Sequence, residues 1–464
     1  MSYTDISEIV LHGEKYAGTK VRVAGWVRTA RDSKTMAFLA LNDGTSLKHL
    51  QIVIDKSKFS SEELAPCLKN GVSVEAEGEV VAAVAAGSGF EINAEALSLI
   101  GDCPSDYPLQ KKYHSMEFLR TVPHLRVRTN TFNAMLRVRS KVSFALHRFF
   151  QERGYTYIHT PIITGSDCEG AGEIFRVTTN GYEDAKAAKD EAEYVARDFF
   201  RRKAGLTVSG QLEGEVAAMA MGRIYTFGPT FRAENSNTPR HAAEFWQIEP
   251  EVAFAKLPDI IKIAESMIKY VIGAVLDECP DEIDFFEKAF EKGLRAKLEA
   301  VVSSDFAVLD YTDAIEILKK ADEKFAYPVE WGLDLQTEHE RYLTEKVLGK
   351  PVFVTNYPKK IKSFYMKQNP DGRTVAATDL LVPGVGEIIG CSEREADYDK
   401  LLEAMTERGM NLDDYKGYME LRKYGTVPHS GFGLGLERIL MYVTGIGNIR
   451  DVQLYSRTAG DLMA

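Results

Sequence analysis

A basic excess is the first thing this sequence lacks. Its 464 residues carry 57 Lys and Arg against 68 Asp and Glu, a formal net charge of −11. That balance excludes a protein that coats nucleic acid by bulk charge, but not one with a local basic face. Residues 1–60 do hold nine Lys/Arg against six Asp/Glu. Cysteine is scarce as well. Cys67, Cys103, Cys168, Cys279 and Cys391 lie far apart without metal-ligand spacing, which sets aside a zinc module and predicts reduced thiols. No apolar run approaches membrane-spanning length, and the opening MSYTDISEIV lacks the basic-then-apolar pattern of a secretory signal. The expectation is a cytoplasmic protein with no membrane partner. There are no internal repeats, and no Ser/His/Asp or Cys/His arrangement demands a protein nucleophile.

What is present is ordinary globular chemistry, 45% hydrophobic, in a chain long enough for two or three domains. Residues 18–100 read as all-β. Val21–Val27 alternates, Ala37–Leu41 follows, and Asn42-Asp43-Gly44 signals a turn before Leu50–Ile54. Ser60–Asn70 suits a short helix, and Val72–Val81 and Phe90–Leu99 supply two more strands. Five strands with a helix between the third and fourth is the plan of an OB barrel, a frequent oligonucleotide binder. Arg28, Arg31, Phe38 and Gln51 lie on or beside its early strands. Basic groups with an aromatic suit single-stranded nucleic acid, although Phe38 could equally be core. Pro104, Pro108, Pro123 and the basic residues between Lys111 and Arg128 read as a linker. The expected division is 1–103 for the barrel, 104–130 for the hinge and 131–464 for a second domain.

In that second domain the chain is organised around Phe227–Glu251, read as strand, polar loop and strand. The loop Glu234–Ala243 carries Ser, Asn, Thr and Pro, which stop strands. Phe245-Trp246-Gln247-Ile248-Glu249 alternates as a half-buried strand should. An Arg at a strand end, a carboxylate two residues on and an aromatic returning opposite could hold a nucleotide. An ordinary hairpin with a charged tip fits the same residues.

Around it, Thr131–Arg153 has helical spacing, followed by a short strand Tyr155–His159 and Pro161. Ser166–Glu173 is a Gly-rich acidic loop. Glu183–Lys203 reads as one charged helix and Leu206–Leu212 as a strand entering a turn. Lys256–Glu278, Asp284–Val302, Tyr311–Ala321, Leu333–Val347 and Ala396–Arg408 read as helices. Pro351–Asn356 reads as a strand, Thr374–Ile389 as two strands around Pro383–Gly386, and Gly431–Thr444 as a Gly-rich lead-in to a helix.

Three stretches together are more specific than any one: Pro161 after a helix and strand, Phe231-Arg232-Ala233-Glu234 with Phe245 returning, and Gly431–Arg438, GFGLGLER. In order they resemble motifs 1, 2 and 3 of the class II aminoacyl-tRNA synthetases. The N-terminal OB pattern points to subclass b, the aspartyl, asparaginyl and lysyl enzymes. RHAAEFWQIEPE, SDCEGAGEIF, LLVPGVGEIIG and TVPHSGFGLGLER look like its bacterial asparaginyl branch, over nearly the whole chain.

The resemblance implies an α+β fold, an OB barrel followed by a catalytic domain of antiparallel sheet flanked by helices, assembled as a homodimer through motif 1. It implies ATP-dependent charging of tRNA(Asn) with L-asparagine through asparaginyl-AMP, without a protein nucleophile, so that catalysis is positioning and charge neutralisation. Arg232 matches the arginine on the α-phosphate and Arg438 the one near the γ-phosphate. Phe245 matches the aromatic under adenine, and Glu234 the carboxylate reading its amino group. Arg240 and His241 match the motif 2 loop near the β/γ-phosphates or the acceptor end. Asp379 and Glu387 match the acidic pair around ATP–Mg2+, Glu387 as the better ligand and Asp379 as a second ligand or a group behind it. Glu169, Ser209 and Gln211 match residues at the substrate's α-ammonium and carboxylate. Gln247 and Glu249 share the second hairpin strand, and Arg394 matches the arginine facing the substrate side chain. Aspartyl enzymes carry a lysine three positions after Gln211; here it is Gly214. Without that cation a neutral amide is favoured, Arg394 donating to its oxygen. Glu249 would accept from its nitrogen or bind the α-ammonium. Arg28, Phe38 and Gln51 match the anticodon readers. The tail after Arg450-Asp451-Val452 departs from the family's Phe-Pro-Arg-Thr-Pro type string.

Overall fold

The computed structural model describes residues 3–83, 89–168, 173–236 and 238–462. The chain divides into two units, Met1–Ala134 and Met135–Ala464.

The first unit holds a closed five-stranded barrel, Lys20–Asp32, Met36–Asn42, Leu50–Asp55, Phe90–Gly101 and Ser73–Ala82 in spatial order. Alternation decides its inside. Val21, Val23, Val27, Leu39, Leu41, Ile52 and Ile54 are buried, while their neighbours face out. The helix Ser61–Cys67 lies between the third and fourth strands as expected. A capping box starts it: the Ser60 hydroxyl accepts from Glu63 N and the Glu63 carboxylate accepts from Ser60 N.

The second unit is built on an eight-stranded sheet. Its order is Ala307–Asp310, Val352–Thr355, Ala377–Val382, Gly386–Glu393, His429–Gly435, Glu244–Ala253, Arg223–Phe231 and Thr156–Tyr157. The antiparallel sheet expected from the sequence forms its centre, with parallel pairing at the edges. Its five inner junctions are antiparallel and its two outermost are parallel. Each outer strand is separated in sequence from its neighbour by helices, and a crossover of that length permits parallel pairing.

Other expectations also change. The charged helix Glu183–Lys203 is two short helices, Tyr182–Ala187 and Glu191–Ala196, neither with a buried residue. With no apolar stripe to dock, a polar segment has little to keep it continuous, and Asp190 caps a new start instead. Asp284–Val302 is likewise two helices, Pro280–Ala289 and Leu294–Ser303, broken where Gly293 takes φ +83°. The strand read at Leu206–Leu212 is only Gly205–Leu206, and a helix begins at Gln211 and runs to Met221. GFGLG is not a helix lead-in. It is the strand His429–Gly435, and the helix starts at Leu436.

Candidate active site

The hairpin is where the sequence put it, and its register sets the site. Glu244–Ala253 pairs on one side with Arg223–Phe231 and on the other with His429–Gly435. Phe245, Gln247, Glu249 and Glu251 alternate along it, so they share one face. That face is open because the neighbouring strand is glycine-rich. A Cβ at Gly433 would stand 3.3 Å from the Gln247 amide nitrogen, and one at Gly431 would stand 2.1 Å from the Glu251 carboxylate. The glycines of GFGLG therefore leave the space these polar side chains occupy.

Two adjoining cavities lie over this face, sharing Arg232, Gln247, Glu387 and Gly433 as a common wall. The first gathers Arg232, Glu234, Arg240, His241, Phe245, Glu387 and Arg438, all seven residues expected around ATP. The Arg232 guanidinium lies 5.5 Å from the Phe245 ring centre. Arg438 donates to the Glu387 carbonyl at 2.9 Å and to its carboxylate at 3.2 Å. Arg240 donates to the Thr337 hydroxyl at 2.9 Å and lies 3.8 Å from Glu340. Burial, and then Arg438, lowers His241 from the ordinary imidazole range. The atypical tail closes this cavity. Thr458 and Ala459 line it, and Ala243 N donates to the Arg457 carbonyl at 2.7 Å.

The second cavity, about 370 Å³, is lined by Ser209, Gln211, Glu249, Asp379 and Arg394 together with Glu251, Lys362 and Tyr365. Glu249 accepts from Gly210 N at 3.0 Å, from the Thr226 hydroxyl at 3.1 Å and from the Ser209 hydroxyl. It thereby fixes the first turn of the helix Gln211–Met221 against the sheet. Arg394 is not a lone cation. It makes a two-nitrogen pair with Glu251, donates to Ser392, and its Nε stands 3.9 Å from Glu215. Glu215 in turn accepts from Arg422 at 2.7 Å and from Tyr418 and His429, each at 2.9 Å. Burial would raise Glu215, but Arg422, His429 and Arg394 pull it well below the carboxylate range. Burial outweighs Arg394 at Glu251, with Glu215 adding to the rise, and lifts its carboxyl to about 7. A Cβ at Gly214 would stand 3.6 Å from the Glu251 Cγ, so a lysine there would begin beside this carboxylate.

Asp379 and Glu387 converge across Gly390. A Cβ there would lie 3.5 Å from one Glu387 oxygen and 3.7 Å from one Asp379 oxygen. Two hard oxygen donors at the meeting of both cavities fit a Mg2+ that takes its remaining ligands from phosphates and water. Among the described residues no group of three His, Cys, Asp or Glu could hold a metal by itself. Each carboxylate has a protein cation beside it, Lys362 for Asp379 and Arg438 for Glu387. Glu387 is held below its ordinary value because Arg438, Lys362 and Arg232 outweigh its desolvation; Asp379 is raised by burial to about 6 against the pull of Lys362.

In the first unit, Phe38 sits opposite Arg31, whose guanidinium is 5.7 Å from its ring centre. Gln51 donates to Glu91 at 2.8 Å, and Arg28 donates to Asn42 and to the Arg128 carbonyl. Phe38 is half-exposed, neither core nor fully open. Glu169 lies outside the described residues. The sequence reading missed Glu215, Glu251, Glu340, Lys362 and Glu437. Glu437 is buried and accepts from Trp246 N at 3.0 Å and from Gln453 at 3.2 Å. The period-2 alternation through Gln247 and Glu249 reaches Glu251, and Glu437 directly precedes Arg438 in GFGLGLER, so both could have been found; Glu215, Glu340 and Lys362 are joined to the site only through space.

Residues 115–459 match the family model described as tRNA synthetases class II (D, K and N), and residues 21–100 match the OB-fold nucleic acid binding domain. The asparagine–tRNA ligase of Acetivibrio thermocellus is 55% identical over 99% of both chains. That of Clostridium tetani is 54% identical, again over 99% of each. Among solved structures, asparaginyl-tRNA synthetase from Pyrococcus horikoshii, complexed with asparaginyl-adenylate, is similar with a TM-score of 0.87 at 35% identity, covering 100% of both chains.

Proposed function

We infer that this chain, which belongs to the class II tRNA synthetases of the D, K and N group, joins L-asparagine to tRNA(Asn) through asparaginyl-AMP. The observation that carries the active-site assignment is the meeting of the arginine-lined cavity and the cavity around Arg394 at Arg232 and Glu387. The asparagine carboxylate attacks the α-phosphorus of ATP. A C–O–P anhydride bond forms, the bond to the β-phosphate oxygen breaks, and pyrophosphate leaves with the electron pair. Arg232 lies on the shared wall and spreads the charge developing on the α-phosphate, a task suited to a planar guanidinium. Arg438, Arg240 and His241 take the outgoing phosphates. Phe245 stacks on adenine and Glu234 accepts from its amino group. Glu387, with Asp379, would hold Mg2+, which neutralises phosphate charge when bound. A ribose hydroxyl of tRNA then attacks the acyl carbon, an ester forms, and AMP leaves.

Asparagine over aspartate follows from charge. Arg394 donates to the amide oxygen, but Glu251 and Glu215 already compensate it, and Gly214 brings no second cation. A second carboxylate in the substrate would bring a negative charge with no unpaired cation to meet it; an amide would not. Glu251, beside Arg394, is then the acceptor for the amide nitrogen. Glu249, with three donors of its own, shapes the α-amino end through Ser209 and Gln211.

Arg28, Phe38 and Gln51 read the anticodon in residues 1–103, with 104–130 as hinge. The chain acts as a homodimer. Exposed Phe144, Tyr157, Ile162 and Ile163 in the motif 1 region support this, because apolar side chains around one element favour a self-complementary contact. Five buried free cysteines, among described residues without a membrane-spanning helix, are consistent with the cytoplasm. Pyrophosphate exchange measured with asparagine, aspartate and lysine tests the substrate. Asparagine alone should support it, and equal exchange with aspartate would overturn the reading.

A further inference from the structure

The segment between the loop at Ser166 and the strand Gly205–Leu206 has no role in the cavities, yet it displays large aromatics. Phe199 is 73% exposed and Phe200 45%. The two rings meet edge to face, 4.8 Å between centres. They are followed directly by Arg201, Arg202 and Lys203.

This display is built. Asp198 accepts from Thr179 N and the Thr179 hydroxyl, each at 2.9 Å, and from Phe199 N at 2.7 Å. Hydrogen bonds from Thr178 and Thr179 hold its carboxyl down at about 2, so the anchor is ionised at any working pH. Arg201 takes a left-handed φ of 52°, which a residue with a side chain adopts only where its surroundings hold it. Arg202 pairs with Asp414 at 3.0 Å and Lys203 with Glu191 at 2.9 Å. Both pairs are exposed, so the cations can exchange an acid for a phosphate at little cost.

The segment also flanks the mouth of the site. Leu206 N donates to the Phe175 carbonyl, Val177 N to the Ala204 carbonyl, and Ala233 N to the Glu173 carbonyl at 3.0 Å. Its two ends are thus tied beside Arg232 on one side and run into Ser209 and Gln211 on the other.

We propose that Phe199 and Phe200, with Arg201–Lys203, form a stacking platform for the unpaired nucleotides at the 3′ end of the RNA substrate. The proposal rests on the aminoacylation reading above. Exposed flat rings flanked by cations are what single-stranded RNA binds, the rings taking bases and the cations the backbone. A subunit interface would be the other use of two exposed phenylalanines, but interface cores are depleted in charge, and three successive cations argue for a polyanion.

The test uses the full-length enzyme with Phe199→Ala/Phe200→Ala and the conservative Phe199→Tyr/Phe200→Tyr. Both positions are exposed, so neither change threatens the core. Asparagine-dependent pyrophosphate exchange, which needs no RNA, should stay within about twofold of the parent. The KM for tRNA(Asn) in aminoacylation should rise roughly tenfold or more in the alanine variant and recover with tyrosine. Unchanged KM in the alanine variant overturns the platform. So does loss of subunit association in sedimentation, which would make the patch an interface. Failure of exchange in the parent enzyme would instead overturn the aminoacylation reading.

Discussion

The two adjoining cavities solve charge in opposite ways. On the side proposed for the nucleotide, Arg232, Arg240 and Arg438 are half-exposed, and a triphosphate would bring the anions they face. On the side proposed for the amino acid, Arg394 and Arg422 behind it are buried, and the protein supplies its own counter-charges in Glu251 and Glu215. The difference follows from the ligands. A triphosphate carries enough charge to stabilise cations that stay near water, whereas a neutral amide does not, and an unpaired buried cation would be far too costly. A compensated arginine still donates hydrogen bonds but no longer attracts acids, which is what selecting an amide requires.

The largest break in this comparison should come from the open side. Arg232→Ala should lower asparagine-dependent exchange by roughly a hundred- to a thousandfold, the cost of removing one preorganised donor, with an unchanged circular dichroism spectrum. Near-normal exchange would remove Arg232 from the α-phosphate. On the compensated side, Glu251→Gln keeps the shape but deletes a counter-charge. The ratio of kcat/KM for asparagine over aspartate should fall by about tenfold, a change worth about 1.4 kcal/mol, and an unaltered ratio would show that charge balance does not select the amide.

The smallest effect is at the seam. Burial first, and then Glu387, pushes Glu340 up to about 8 from an ordinary 4.5. A carboxyl raised in the native state keeps its proton after the unfolded chain has lost it. Its stabilising contribution is therefore present below about 4.5 and lost as pH climbs through about 8. Glu340→Gln has no proton to lose. Its Tm should exceed the parent's at pH 8.5 and approach it near pH 4.5; a gap of the same size at both would place the effect elsewhere.

How far the sequence reached differs between the cavities in the same way. Arg232, Glu234, Phe245 and Arg438 lie within short stretches whose order and spacing are visible, and the structure brings them to one cavity. Glu215 meets Arg422 and His429 only because its helix converges with a loop and a strand more than 200 positions further along the chain. GFGLG was visible as a glycine pattern, but not as a strand. What identifies it as one is its antiparallel pairing with Glu244–Ala253 on one side and Gly386–Glu393 on the other. The polar stretch Glu183–Lys203 misled for a related reason. Its helical propensity was local, and among the described residues neither short helix buries a side chain that would dock one long helix.

The sequence by itself determined the barrel, the hairpin and the residues gathered in the arginine-lined cavity. Each is written in a local period or motif, alternation for strands and a few fixed residues for phosphate. Only the tertiary structure decided that Arg394 is a neutralised donor and that an aromatic pair stands exposed beside the site. Compensation and exposure are properties of what surrounds a side chain, and those surroundings come from distant parts of the chain.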